Sequence, residues 1–163
     1  MKKIISKFDI SMPSLGLGTW DLDPKKCSRV VSEALDLGYR HIDTAAMYEN
    51  ESEVGSGIID SRVDREEVFL TAKINTTGWT PSGGHGPLLQ NKTIIKSFEK
   101  SLFDLKTDYV DLLLIHWPKF ETNLGDMLEI MYQIKDTQKA KEVGVANFNS
   151  NLLNECINLG FND

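Results

Sequence analysis

The residues of this sequence best suited to chemistry stand where short apolar runs finish. Asp43 closes the run HID, and Tyr48 follows five residues later in a polar stretch. Lys73 closes FLTAK, His116 follows VDLLLI and precedes Trp117 and Pro118, and Asn147 follows VGVA. Each has an ordinary structural use: Asp43 as a cap, Tyr48 as a half-buried surface aromatic, Lys73 as a solvated strand end, His116 as a satisfied core histidine. Together they form an acid–base set. A phenol ordinarily titrates near ~10, too high to exchange protons readily at neutral pH, and a neighbouring ammonium favours the phenolate. Lys73 can supply that ammonium, and Asp43 can pair with it so that the lysine does not sit buried and alone. His116 can hydrogen-bond a carbonyl oxygen and orient the substrate, while Tyr48 gives that oxygen a proton as a hydride reaches the carbon. This is general acid catalysis with stabilisation of a developing alkoxide. No side chain can deliver a hydride, so the chemistry requires a cofactor.

The elements that must position these groups alternate in type. Strands are predicted over 15–19, 41–45, 68–73, 110–115 and 142–146. The fourth is almost wholly apolar, as a strand buried on both faces must be. Between them run helical patterns. Asp23 is the expected cap of the first, with Pro24 at its first position and Gly38 at its end; Cys27, Val30, Val31 and Ala34 share its apolar face. The second covers 51–59, with Val54 and Ile58 on one side. Ile94, Ile95, Phe98, Leu102 and Leu105 mark the third, and Leu124, Met127, Leu128, Met131 and Ile134 the fourth. Leu152, Leu153, Cys156 and Ile157 mark the fifth, with a cap expected near Ser150 and an end at Gly160. A long loop with four glycines spans 76–90. Such alternation implies a parallel sheet with right-handed crossovers. A five-stranded doubly wound domain and the first part of a (β/α)8 barrel both satisfy the pattern.

Composition narrows the function. The chain has 163 residues, 40% hydrophobic and 26% charged, which suits one folded domain over 1–163. A net charge of −6 without a basic stripe argues against nucleic acid and against anionic membrane surfaces. No apolar run approaches the roughly 18 residues of a membrane span, and the first seven residues turn charged too soon for a secretory signal. Cys27 and Cys156 read as reduced core thiols, and cytoplasmic residence is the expectation. No metal is expected.

The ordered motifs LGLGTW at 15–20, GYRHIDTA at 38–45, YENE at 48–51 with Gly55, FLTAK at 69–73, DYVDLLLIHWP at 108–118 and VGVANF at 143–148 resemble the aldo-keto reductases. The bacterial 2,5-diketo-gluconate reductase branch is the nearest likeness. The resemblance implies a (β/α)8 TIM barrel and NADPH-dependent reduction of aldehydes or ketones, including diketo-sugar acids, to alcohols. It maps the family's catalytic tetrad onto Asp43, Tyr48, Lys73 and His116. It implies cofactor contacts at Gly18, Thr19, Trp20, Asp43, Thr44 and Asn147, and a substrate mouth of Trp20, Tyr48, His116 and Trp117. Two departures stand out. Ala146 replaces the usual serine beside Asn147. The turn before the fifth strand, DTQKAKE at 136–142, lacks its usual glycine, so a distorted turn or an extended helix is expected there.

The likeness covers five strand–helix units of eight, so the domain is expected to be C-terminally incomplete, a truncated barrel with two open sheet edges and an apolar inner face. The glutamine of the sixth strand, the aromatic that stacks on the nicotinamide and the grip on the adenosine 2′-phosphate would lie beyond. Three readings stay open: an oxidoreductase of small carbonyl compounds that needs its barrel completed, a catalytically inactive remnant, and an association module. The last would use its open edges to pair with itself or with a complementing chain.

Overall fold

The computed structural model describes residues 3–5, 10–76, 91–118 and 123–161. An antiparallel hairpin comes first, β1 (Lys3–Ile5) against β2 (Ser11–Pro13). It was not among the expected elements. Five parallel strands follow: β3 (Leu17–Gly18), β4 (His41–Asp43), β5 (Phe69–Ile74), β6 (Val110–Ile115) and β7 (Ala140–Val145). Helices α1 (Pro24–Asp36), α2 (Glu51–Asp60), α3 (Asn91–Asp104), α4 (Leu124–Asp136) and α5 (Ser150–Asn158) alternate with them. The expected long loop lies outside the described residues from 77 to 90.

Strand order decides between the two architectures. Each strand pairs in parallel with its neighbours in sequence, β3-β4-β5-β6-β7, without a reversal. A doubly wound sheet reverses its order at a switch point, which sends helices to both faces. Here successive helices pack on one another, α1 on α2 through to α4 on α5, along one side of the sheet. The arrangement is that of five consecutive units of a (β/α)8 barrel. The core lies between strands and helices, where Ile42, Leu70, Leu113 and Val143 meet Val31, Leu35, Val54, Phe98, Leu105 and Met131.

The local signals work as their chemistry requires. The Asp23 carboxylate accepts from Lys25 N at 3.0 Å, and Pro24 opens α1. Gly38, at φ +96°, closes it: Gly38 N bonds Leu35 O and Tyr39 N bonds Ala34 O, the paired bonds of a glycine-terminated helix. The glycine-free turn after α4 achieves a similar result at greater conformational cost. Gln138 takes φ 62°, and its N–H reaches Lys135 O. A side chain in that left-handed region costs roughly 1–2 kcal/mol. The helix is therefore not extended, and β7 begins at Ala140, two residues before its expected start. A smaller correction concerns β3, which is only two residues long; the cap of α5 falls where expected, beside Ser150. That cap is Asn149, whose side chain accepts from Leu152 N at 3.0 Å.

The inner sheet face differs from the apolar surface expected. The register that pairs Lys73 with Leu114 and Thr71 with Leu112 sets these four on one face, and the period of two places His41 and Asp43 there too. His41 Nε2 lies 3.0 Å from Thr71 Oγ1, with the Phe69 ring edge-on at 5.3 Å. Polar groups thus intrude well below the strand ends.

At the strand starts, Arg65 gathers the sheet. Its guanidinium donates to Thr107 Oγ1, Val68 O, Tyr109 O and Asp111 Oδ2 and lies 4.1 Å from the Tyr109 ring centroid. Asp111 also accepts from Leu70 N and from Lys141 Nζ. One carboxylate thereby joins β5, β6 and β7.

The segment bearing Tyr48 depends on how closely α2 approaches its neighbours. A Cβ on Gly55 would stand 2.5 Å from Leu105 O, a backbone atom that cannot swing aside. Gly55→Ala is expected to destabilise the protein by about 1–3 kcal/mol through overpacking, read as a lower urea midpoint. Gly18→Ala, whose Cβ would meet nothing within 4 Å, serves as the neutral comparison.

Candidate active site

The ends of β4, β5 and β6 bring four ionisable side chains together. Asp43 is the last residue of β4, and Lys73 stands one residue before the end of β5. Tyr48 ends a single 3-10 turn, Ala46–Tyr48, which Glu49 leaves with φ 56°. His116 directly follows β6.

Lys73 is the hub. Its Nζ forms an ion pair with Asp43 Oδ1 and donates to Thr44 O at 3.3 Å and to Tyr48 Oη at 3.2 Å. An ammonium has three hydrogens and accepts nothing. Those three acceptors use all of them, and the phenol receives from the lysine. The phenol's own hydrogen must therefore point away from Lys73. The lysine is 8% exposed, so the adjacent carboxylate compensates a charge largely removed from water.

His116 faces the phenol, ring centroids 5.5 Å apart and nearly perpendicular. Its N–H bonds Ile74 O, and its carbonyl accepts from Asn147 Nδ2 at 2.7 Å, so both flanking strands hold it. Burial pushes the imidazole down to about 4; the Lys73 charge adds to this and Asp43 partly opposes it. At neutral pH the ring is uncharged. Nδ1 is enclosed without a partner among the described residues. A bare lone pair costs less there than an orphaned N–H, which favours the tautomer with its proton on Nε2.

The other expected site residues fall around this centre. Trp20 meets Tyr48 edge-on at 5.0 Å, and Trp117 stacks on His116 at 6.1 Å; both tryptophans are about half exposed. Thr19 and Thr44 are fully buried and joined through their hydroxyls at 2.9 Å. Gly18 leaves open space beside them. Asn147 adopts φ 62°, and Ala146 N is committed to Ile115 O.

Three residues matter here that motif reading did not single out. Asn50 is 1% exposed and donates to Thr19 O and Leu22 O. Glu51 is buried between α2 and α3, with Oε1 unpartnered among the described residues. Burial raises its carboxyl to about 7; a hydrogen bond with Ser101 and the Lys100 charge oppose this, while Asp104 reinforces it. His41 lies on the inner face, its imidazole also pushed down chiefly by burial. Asn50 and Glu51 both stand in the YENE run at 48–51. Polar residues opening a helix usually serve as exposed caps, and nothing in that pattern announces their burial.

No described helix is long and apolar enough to cross a membrane, and no cluster of possible metal ligands occurs among the described residues. Burial pushes the Cys27 thiol up to about 11 and raises Cys156, so both are poor nucleophiles.

The sequence pattern of the Aldo/keto reductase family matches residues 14–161. The chain belongs to that family. Among curated aldo/keto reductase relatives, methylglyoxal reductase DkgB of Yersinia pestis is 39% identical over 150 residues, 91% of this chain and 52% of that protein. An aldo-keto reductase of Mycolicibacterium smegmatis is 40% identical over 139 residues, covering 85% and 47%. Among solved structures, an aldo/keto reductase from Brucella melitensis superposes with a TM-score of 0.83 at 34% identity, covering 96% of this chain and 58% of that one. The aldose reductase of Schistosoma japonicum gives 0.83 at 28%, covering 97% and 57%. The chain spans about half the length of the curated relatives it matches.

Glu51 gives the stability of the fold a pH dependence with a definite sign. Its folded-state value lies above that of the unfolded chain, so stability falls as pH rises from about 4.5 through about 7. Glu51→Gln is expected to match the parent protein at pH 4 and to exceed it by roughly 1–3 kcal/mol at pH 8, measured by urea unfolding at each pH. A gap of the same size at both would contradict this.

Proposed function

We propose that this chain carries the proton-transfer half of a carbonyl reductase, with Tyr48 as the general acid. The observation that carries the reading is the hydrogen bond from Lys73 to the Tyr48 oxygen, with Asp43 paired to the same ammonium. The phenolic hydrogen, turned away from Lys73, is free to bond a carbonyl oxygen held between Tyr48 and His116. The uncharged imidazole offers its Nε2 hydrogen to that oxygen and orients it without competing as the acid. As negative charge gathers on the oxygen, the phenol releases its proton. The resulting phenolate is stabilised by Lys73, whose charge Asp43 balances. Trp20 and Trp117 wall the mouth on either side.

A nicotinamide cofactor, NADPH in this reading, supplies the hydride when bound. The residues present fit its nicotinamide end. Gly18 leaves room at the strand end, the buried Thr19–Thr44 hydroxyl pair supports the backbone beside it, and Asn147, its Nδ2 given to His116 O, keeps Oδ1 to accept from a carboxamide. The substrate class is a small aldehyde or ketone. An α-ketoaldehyde such as methylglyoxal is the first choice, because relatives carry that substrate in their names; a diketo-sugar acid is the next.

Titrating the purified chain with NADPH, with and without methylglyoxal, tests this. Tyr48→Phe is expected to retain cofactor binding and to lose turnover by about 10²–10⁴-fold. Undiminished turnover in that variant would remove Tyr48 as the acid. Failure of the parent chain to bind NADPH would favour a non-catalytic protein.

One observation favours a second reading as an association module. Leu153, Ile157 and Leu159, on and just after α5, are all more than 40% exposed, and β7, which precedes α5 in the chain, is an edge strand of the described sheet. A second polypeptide pairing along that edge would cover them. Sedimentation velocity is then expected to show a dimer or larger species that Ile157→Lys dissociates; a monomer at all concentrations would exclude self-pairing.

A further inference from the structure

Asn50 is nearly inaccessible, and its amide nitrogen bonds none of the four ionisable groups. What it touches is the loop after β3. Leu22 N bonds Thr19 O at 3.3 Å, closing a tight turn with Asp21 at φ 60° and Trp20 at its corner. Asn50 Nδ2 donates to the carbonyls at both ends of that turn, Thr19 O at 2.8 Å and Leu22 O at 3.4 Å. Carbonyls only accept, so the amide nitrogen must face them, and the orientation is fixed by chemistry. Its Oδ1 is buried without a partner among the described residues, a cost incurred to keep the nitrogen in place.

Trp20 is 53% exposed, so burial does not hold it. Its position follows from the turn beneath it. Thr19 ties one end of that turn to β4 through Asp43 O and Thr44 Oγ1. The other end, at Leu22, is tied by the Asn50 amide. Asn50 is also two residues from Tyr48, across the left-handed Glu49. One side chain therefore couples the two loops whose aromatic rings meet edge-on at 5.0 Å.

We propose that Asn50 is a positioning residue that sets the gap between Trp20 and Tyr48, and so the size of the carbonyl substituent admitted beside the phenol. The effect on substrates rests on the function proposed above; the effect on Trp20 does not. A carbonyl oxygen bonded to Tyr48 leaves its carbon's substituent against the Trp20 ring. Loosening the turn lets that wall drift.

The test labels the full chain with 5-fluorotryptophan and assigns the Trp20 resonance with Trp20→Phe. Asn50→Ala removes the clamp and leaves a space. Asn50→Asp keeps the volume but sets oxygens against two carbonyls. Both are expected to shift or broaden the Trp20 fluorine signal and leave that of Trp117 in place. With methylglyoxal and NADPH, both are expected to raise KM about 10-fold while kcat changes far less, the pattern of lost binding rather than lost chemistry. An unmoved Trp20 signal in both variants overturns the proposal. So does a Trp20 signal that moves only in Asn50→Ala, because the residue would then act through its volume. If the parent chain reduces no carbonyl, the proposed function fails and the fluorine spectra still decide the clamp. If neither variant folds, exchange of the Asn50 side-chain amide hydrogens in the parent protein decides it. Exchange at least about 100-fold slower than for a free amide supports the clamp, and exchange at the free rate overturns it.

Discussion

A single ammonium group organises the ends of β4, β5 and β6. Lys73 is nearly removed from water, and a charge so placed is tolerated only where every hydrogen finds an acceptor. Asp43, the Thr44 carbonyl and the Tyr48 oxygen are those acceptors, and all three come from β4 and the segment that follows it. The parallel pairing of β4 with β5 is therefore a chemical requirement as well as a folding one. A one-residue slip would turn Lys73 toward the helices and leave an uncompensated charge in the core. The phenol is drawn in by the same demand, and its own hydrogen is left facing outward.

The two ends of the strands are built on different principles. At their starts, Arg65 and Asp111 form a closed network in which nearly every donor meets an acceptor within the chain. At their ends, polar groups stay only partly satisfied: His116 Nδ1 and Asn50 Oδ1 lack partners among the described residues, and two tryptophans stand half exposed. Internally satisfied polar contacts are concentrated at one end and open polar groups at the other, the division expected of the barrel architecture that the family shares.

Much of this was legible in the sequence because the responsible signals are local. Alternation of apolar runs gave the order of elements, and Pro24 and Gly38 bounded α1 for reasons intrinsic to each residue. The convergence of Asp43, Tyr48, Lys73 and His116 was legible because strand ends converge in a parallel barrel, so position along a run implies position in space. What escaped depends on long-range packing. Burial of Asn50 and Glu51 follows from where the β3 loop and α3 happen to lie. The left-handed Gln138 shows tertiary packing overriding a residue's own preference, and the same device recurs at Arg62 and Lys106 after α2 and α3. The polar inner face, with His41 bonded to Thr71, was hidden because alternation says which residues face inward, not whether they find partners there.

Each of the five central strands pairs only with strands adjacent to it in the chain. Pairing within the described sheet therefore joins only neighbouring units, and the entropy lost in forming each new pair is that of one crossover. Assembly can proceed as a zipper, every finished unit offering a template for the next. Evolution gains a matching freedom: a unit can be exchanged or reshaped at the cost of two seams, while the remaining strands keep their register.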